Sequence, residues 1–293
     1  MKGQDDMSKI LITGVKGQLG KELIRQLKNN KEYTLLLTDV DDLDITNIDS
    51  VNIMLKAEKP NIVINCAAHT AVDKCETDVD NAYKINAIGA RNLAIASNEI
   101  GSKIVHISTD YVFNGIGNTD LEGNIIPYTE FDTPEPQTVY GKTKLQGENF
   151  VKNMNPRHFI IRTAWLYGEG NNFVHTMIKL GSQNESVKVV NDQYGTPTST
   201  EELAKMIIYL METDNYGLFH GTCEGQCTWY EFAKEIFKLK GMTTEVIPVT
   251  TEEFPRPAKR PKYSVLDNYM LRLTSDFRFG DWKEALVKYL THA

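Results

Sequence analysis

Apolar runs of strand length alternate with amphipathic stretches through the first half of the chain. Lys9–Thr13, Thr34–Thr38, Ile62–Cys66 and Lys103–Ser108 are nearly continuous apolar segments. Helical spacing follows each of the first three. Gln18–Asn30 carries Leu19, Leu23, Ile24 and Leu27, Asn47–Lys59 is stopped by Pro60, and Asp78–Ile100 is closed by Gly101. Strands that are apolar on both sides and separated by helices predict a parallel sheet covered on both faces. Right-handed crossovers then give an α/β fold with a doubly wound, Rossmann-type sheet. A further helix is predicted over Tyr140–Met154 and a strand over His158–Thr163.

The pattern loosens after Trp165. Helices at Phe173–Leu180, Glu201–Glu212 and Thr228–Lys240 and a strand at Val187–Val190 are separated by turn-rich segments, and Glu253–Pro261 reads as a loop. The expected division is a dinucleotide-binding domain over residues 1–165, to which some later segments return, and a smaller C-terminal substrate lobe over 166–293. The 293 residues suit that plan, and a 41% hydrophobic fraction supplies an ordinary core.

The net charge of −7, with no long basic run, argues against nucleic acid as a partner. It also means that any phosphate site must be built locally, from backbone amides and a few cations. No apolar stretch approaches the ~20 residues of a membrane span. Met1–Ser8 is polar and charged, unlike a secretory signal, and reads as a tail left by a start site upstream of Met7. The expected compartment is the cytoplasm. The cysteines at 66, 75, 223 and 227 form no C-x-x-C pair, so free thiols are expected and no metal site.

The first candidate chemistry is Thr13-Gly14-Val15-Lys16-Gly17-Gln18-Leu19-Gly20, between the first strand and the first helix. Glycines there allow a tight turn and close approach of a pyrophosphate to a helix N-terminus. Gly14, Gly17, Gln18 and Leu19 are therefore candidate dinucleotide contacts. Asp39 ends the second strand, where an acid holds adenosine ribose hydroxyls and would repel a 2′-phosphate. Lys16 would instead attract that phosphate, so NADPH and NADH both stay open. Asp44 and Ile45, just beyond, join the candidate cofactor-binding set. Small residues after the third strand, Ala67 and Ala68 with His69 and Thr70, would lie along the cofactor. His69 receives no catalytic role.

Thr109 ends the fourth strand, where open α/β sheets place ligands. Tyr140 and Lys144, four apart on a predicted helix, share a face. A tyrosine of ordinary pKa, about 10, is a poor acid–base catalyst at neutral pH, and an adjacent ammonium lowers that value.

With these parts in this order, the sequence resembles the extended short-chain dehydrogenase/reductase family. The resemblance is carried by Gly17–Gly20, Cys66–Lys74, Ser108–Phe113, Tyr140–Lys144, Arg162–Gly168 and Asp192–Thr198. It narrows to reductases of dTDP-linked 4-keto deoxysugars. That implies reduction of dTDP-4-dehydro-6-deoxy-L-mannose to dTDP-L-rhamnose, a precursor of cell-surface polysaccharide, with a small nucleotide sugar as partner. It implies hydride transfer from the cofactor, Tyr140 as proton donor, Lys144 tuning it and Thr109 bonding the reacting oxygen. It further implies Asn86 supporting Lys144 through water, substrate contacts from Asp110 and Trp165, and room for a homodimer. Arg256, Lys259, Arg260 and Lys262 form a compact basic cluster beside a proline-rich loop, where an anionic diphosphate finds compensating charge, and Arg260 is the candidate ligand. By position alone Trp165 reads equally as a core residue.

Two rivals stand. Dehydratases and epimerases share the fold, but dehydratases resemble a Thr-Asp-Glu pattern where Tyr111 stands here. A non-catalytic regulatory subunit, like the β subunit of methionine adenosyltransferase, is similar in sequence type.

Overall fold

The computed structural model describes residues 7–292. The polar segment before Met7 lies outside the described residues. Six parallel strands form the main sheet: β1 (Ser8–Thr13), β2 (Tyr33–Thr38), β3 (Ile62–Asn65), β4 (Lys103–Thr109), β5 (His158–Thr163) and β6 (Gly217–His220). Their order is β6-β5-β4-β3-β1-β2. The order reverses between β1 and β3, and that is where a doubly wound sheet opens a crevice at its C-terminal edge. β6 comes from deep in the second half of the chain and pairs with β5, Phe219 opposite Ile161.

Both sheet faces are buried, as the apolar strands require. Ile10, Ile12, Ile64 and Val105 pack with Leu19, Leu23 and Leu27 of α1 (Gln18–Leu27) on one side. Leu11, Val63 and Ile104 pack with Val51 and Leu55 of α2 (Ile48–Glu58) on the other. Helix α2 starts where Asn47 accepts hydrogen bonds from the Asp49 and Ser50 amides, an N-cap in the usual sense.

The helix expected over 78–100 is divided. Val79–Tyr83 and Ala90–Glu99 are α-helical, and Lys84–Gly89 between them is a π-turn. Such an inserted residue is invisible to a 3.6-residue periodicity, and it often marks a functional position. Here it carries Asn86. Helix α3 (Val139–Met154) follows after a long loop and is capped by Thr138.

In the C-terminal half, Ser186–Val190 pairs in parallel with Glu245–Val249, covered by helices Phe173–Gln183 and Trp229–Leu239. The short strands Gly217–His220 and Glu245–Val249 and the helices Tyr269–Thr274 and Trp282–His292 lack a clear periodic signal in the sequence.

Candidate active site

The glycine turn brings β1, β3 and α1 into close contact. A Cβ on Gly14, whose φ is +70°, would lie 2.7 Å from the Ala67 nitrogen, and one on Gly20 would lie 2.5 Å from the Gly14 carbonyl oxygen. No side chain other than glycine fits either place. The N-cap of α1, Gly17, offers no side-chain acceptor, so the first amides of that helix are left for a ligand. This is the cradle a pyrophosphate needs, and the residues present fit a dinucleotide.

A cleft of about 490 Å³ runs from this turn past Cys66, Ala68 and Thr70 to Thr109, Tyr140 and Lys144. Gly14, Gly17, Gln18 and Leu19 line it, as do Asp110 and Trp165. Other expected cofactor residues sit outside its wall. Asp39 accepts from the Lys16 amide at 2.9 Å and the Val40 amide at 2.9 Å, so its carboxylate shapes the turn. The Lys16 ammonium pairs with Asp41. Asp44 accepts from the Thr46 amide and hydroxyl. Ile45 is buried against Gly89, and Ala67 packs on the core below the sheet. The His69 ring turns toward Cys75 Sγ and Asp78, each 3.5 Å away. Its side chain therefore faces the protein and is not part of the cleft wall.

Helix α3 approaches the end of β4 closely because residue 141 is glycine. A Cβ there would stand 2.1 Å from the Tyr111 carbonyl oxygen. That approach sets Tyr140 edge-on to Tyr111, with ring centroids 5.5 Å apart. It also places Lys144 deep under the cleft. Burial lowers the Lys144 ammonium to about 8, against the opposing pull of Glu148 and Cys66.

The lysine donates to the Ile107 carbonyl at 2.6 Å, and no hydrogen bond joins it to Tyr140 among the described residues. The expectation that it holds the phenol below its ordinary range is thus corrected. Burial first, and then the Asp110 charge, push the Tyr140 phenol up, while Thr109 opposes them. The phenol is held as a proton donor.

Thr109 donates its hydroxyl hydrogen to Asp110 Oδ1 at 2.7 Å and accepts from the Tyr111 amide at 3.2 Å. Its direct donation to a reacting oxygen, as expected from the sequence, has no free hydrogen in this arrangement. Asp110 is buried, its Oδ2 has no partner, and burial raises its carboxyl to about 6 despite the Thr109 and Ser264 hydrogen bonds.

Asn86 lies in the π-turn. Its Oδ1 accepts from the His69 amide at 2.7 Å, and its Nδ2 donates to the His69 carbonyl and to Thr143 Oγ1, 3.1 Å each. Both amide hydrogens are spent on fastening the loop after β3 to α3.

A second pocket of about 510 Å³ meets the cleft at Trp165. Trp165 sits at φ +47° and stacks on Trp229, centroids 3.4 Å apart. It is both a junction residue and a wall of the two cavities. Phe173, Met177, Val190 and Trp229 supply apolar surface, and Lys188, Arg256 and Arg260 supply positive charge. That is the local cation set an acidic chain needs for an anionic ligand.

Arg260 Nη2 pairs with Asp73 at 2.8 Å, Ala258 donates to the same carboxylate at 3.1 Å, and Arg260 Nη1 is buried without a partner. The sequence reading missed Asp73, Trp229 and the Glu148–Arg162 pair. Nothing in their spacing joins them, since each depends on contacts made across the fold.

Residues 7–293 match the model of the RmlD substrate binding domain. The chain belongs to that family. Within it, the spore coat polysaccharide biosynthesis protein SpsK of Bacillus subtilis (strain 168) is 44% identical over 97% of this chain and 97% of its own. The crystal structure of a dTDP-4-dehydrorhamnose reductase from Clostridium acetobutylicum is 58% identical, with a TM-score of 0.93, covering 97% of this chain and 99% of that one. A Bacillus anthracis dTDP-4-dehydrorhamnose reductase solved in complex with NADP is 46% identical, also at TM-score 0.93, covering 98% and 100%. Those two solved structures share the fold described above.

Proposed function

We propose that this chain is an NAD(P)H-dependent oxidoreductase of the cytoplasm that reduces the 4-keto group of dTDP-4-dehydro-6-deoxy-L-mannose to give dTDP-L-rhamnose, a precursor of cell-surface polysaccharide. One observation carries the reading. A single cleft contains the glycine cradle at one end and Thr109, Tyr140 and Lys144 at the other, and opens at Trp165 into a cationic, aromatic pocket. Residues 1–165, with β6, then serve the cofactor, and most of 166–293 serves the sugar nucleotide.

When bound, a reduced nicotinamide supplies the hydride. The chain's own residues manage the proton and the developing charge. Tyr140 gives its phenolic hydrogen to the C4 oxygen as that oxygen gains charge. Lys144, held by Ile107, offers its remaining hydrogens to the cofactor ribose and to the phenolate left behind. Thr109 lies within hydrogen-bonding reach of Tyr140 and orients it, while the unpartnered oxygen of Asp110 accepts from a sugar hydroxyl. Arg260 Nη1, with Lys188 and Arg256, faces the diphosphate, and Trp165 and Trp229 carry the apolar faces of the ligand.

Loss of the reduced-nicotinamide absorbance on adding the keto-sugar nucleotide, with dTDP-L-rhamnose recovered as product, tests the proposal. A folded chain that binds cofactor yet leaves the absorbance unchanged would support the regulatory-subunit alternative.

A further inference from the structure

Beneath Lys144, β1, β3 and β4 contribute a line of buried polar side chains. Thr13 Oγ1 donates to Asn65 Oδ1 at 2.8 Å, Asn65 Nδ2 meets His106 Nδ1 at 3.1 Å, and His106 Nε2 lies 3.5 Å from Lys144 Nζ. All four residues are buried. One backbone group fixes the direction of the chain. The Ala67 amide, which can only donate, points at Asn65 Oδ1 from 3.2 Å. The amide oxygen must therefore be the atom on that side, and the Asn65 Nδ2 hydrogens face His106. His106 Nδ1 accepts, so the proton of the neutral ring is on Nε2, toward the lysine.

We infer that His106 is a positioning residue for Lys144. Its ring presents an N–H, not a lone pair, to the ammonium and so keeps the lysine's hydrogens for the cofactor cleft. An ammonium has three hydrogens. Ile107 takes one at 2.6 Å, and His106 takes none. The other two are left for the ligands above. The same N–H faces an amine lone pair favourably when Lys144 is uncharged, so His106 stabilises the neutral lysine relative to the charged one.

The other titratable groups around the ammonium are Cys66 from the end of β3, and Glu148 and Tyr140 one turn away on either side along α3. Glu148 and Cys66 favour the charge, and burial opposes it. His106 does not gain a second proton to compete, because burial and then the Lys144 charge hold it well below its ordinary range.

The inference rests on the proposed reductase reading for its purpose, but its test needs no turnover. In cofactor-free protein labelled with ¹⁵N-histidine, the His106 ring is expected to show a protonated Nε2 and a bare Nδ1 across neutral pH. A protonated Nδ1 overturns the inference. In protein carrying ¹³Cε-lysine, with the Lys144 signal assigned by its loss in Lys144→Met, His106→Asn is expected to raise the Lys144 titration midpoint by about half a pH unit or more. Asparagine keeps a partner for Asn65 and removes the N–H at the lysine.

His106→Gln serves where the first variant folds poorly. Its amide oxygen can turn to the ammonium, so the same upward shift is expected, with weaker NADPH binding by fluorescence titration. An unchanged midpoint in either folded variant overturns the role. A chain that passes these tests yet fails to reduce the keto-sugar nucleotide refutes the proposed reaction and leaves the His106–Lys144 relationship standing.

Discussion

Thr109 gives its one hydroxyl hydrogen to Asp110, and the two oxygens are 2.7 Å apart. A threonine has no second hydrogen to donate. While Asp110 is ionised, Tyr140 is therefore the proton source at the reacting oxygen, and Thr109 acts through it.

The cost of that arrangement is a buried carboxylate. Burial lifts Asp110 from the ordinary 3.8 to about 6. A carboxyl whose folded value is raised stabilises the fold fully only below its unfolded value, and that contribution is lost as pH rises through the folded value. Asp110→Asn keeps an acceptor for Thr109 and removes the charge. It is expected to stabilise the protein at neutral pH by about 3 kcal/mol, at about 1.4 kcal/mol per unit, and hardly at all near pH 4. Urea denaturation at the two pH values checks this, and an equal gain at both would contradict it.

Tyr140→Phe removes the proton donor and leaves the ring against Tyr111. General acid catalysis is worth about 10²–10⁴-fold, so kcat should fall by that order while NADPH affinity changes little. Stopped-flow transfer rates alongside a fluorescence titration separate the two. Near-full turnover in the variant would remove Tyr140 from the chemistry.

Reduction should also fail on the alkaline side as Lys144 loses its charge. With the ammonium held to about 8 and Asp110 ionised above about 6, kcat/KM for the reduction is expected to be level between those values and to fall about tenfold per pH unit above the upper one. In Lys144→Met this limb should disappear along with most of the activity. A pH profile of both proteins decides the point.

Much of the sheet could be read from the sequence because its strands are continuously apolar and its helices carry clean 3.6-residue spacing. Lys103–Ser108 and His158–Thr163 differ from the observed β4 and β5 by at most one residue. The π-turn at Lys84–Gly89 was hidden because one extra residue in a helix leaves the composition and most of the apolar stripe unchanged. Thr109, Tyr140 and Lys144 were found by motif and order, and the structure brings them to one cleft. What Lys144 touches was not legible. Ile107 and His106 meet it only after β4 and α3 have packed. His69 and Ile45 point away from the cleft for a similar reason, since sequence adjacency to a cofactor loop fixes the backbone path and leaves side-chain direction to tertiary contacts.

Glu148 and Arg162 form the most deeply buried ion pair among the described residues. Nε and Nη2 bond the two carboxylate oxygens at 2.9 and 2.7 Å, and Ser108 adds a third hydrogen bond at 2.5 Å. Breaking such a pair strands a charge in the core and costs about 3–5 kcal/mol, whereas replacing both partners by apolar groups is often near neutral. Glu148→Ala should therefore lower the urea midpoint sharply, and the Glu148→Leu/Arg162→Met double variant should recover most of the loss. A double variant as weak as the single one would show that the pair itself, and not the orphaned charge, sets the stability.

Arg260 and Asp73 tie the loop 253–262 to the segment after β3, with 2.8 Å between Nη2 and Oδ2. The carboxylate neutralises part of the guanidinium, yet it also aims Nη1, which is left without a protein partner. An anion that enters the second pocket can take that free hydrogen-bonding edge. Arg260→Ala is expected to raise KM for the dTDP-sugar about tenfold or more, the loss of one charge-assisted contact of roughly 1.5–3 kcal/mol, with little change in kcat. Asp73→Asn should cost less, because the guanidinium itself stays in the pocket wall beside Tyr111 and Pro261. If Asp73 acts by aiming Arg260, its substitution should add nothing once Arg260 is alanine. A double-mutant cycle on KM measures that coupling, and fully additive effects would mean that Asp73 meets the ligand by another route.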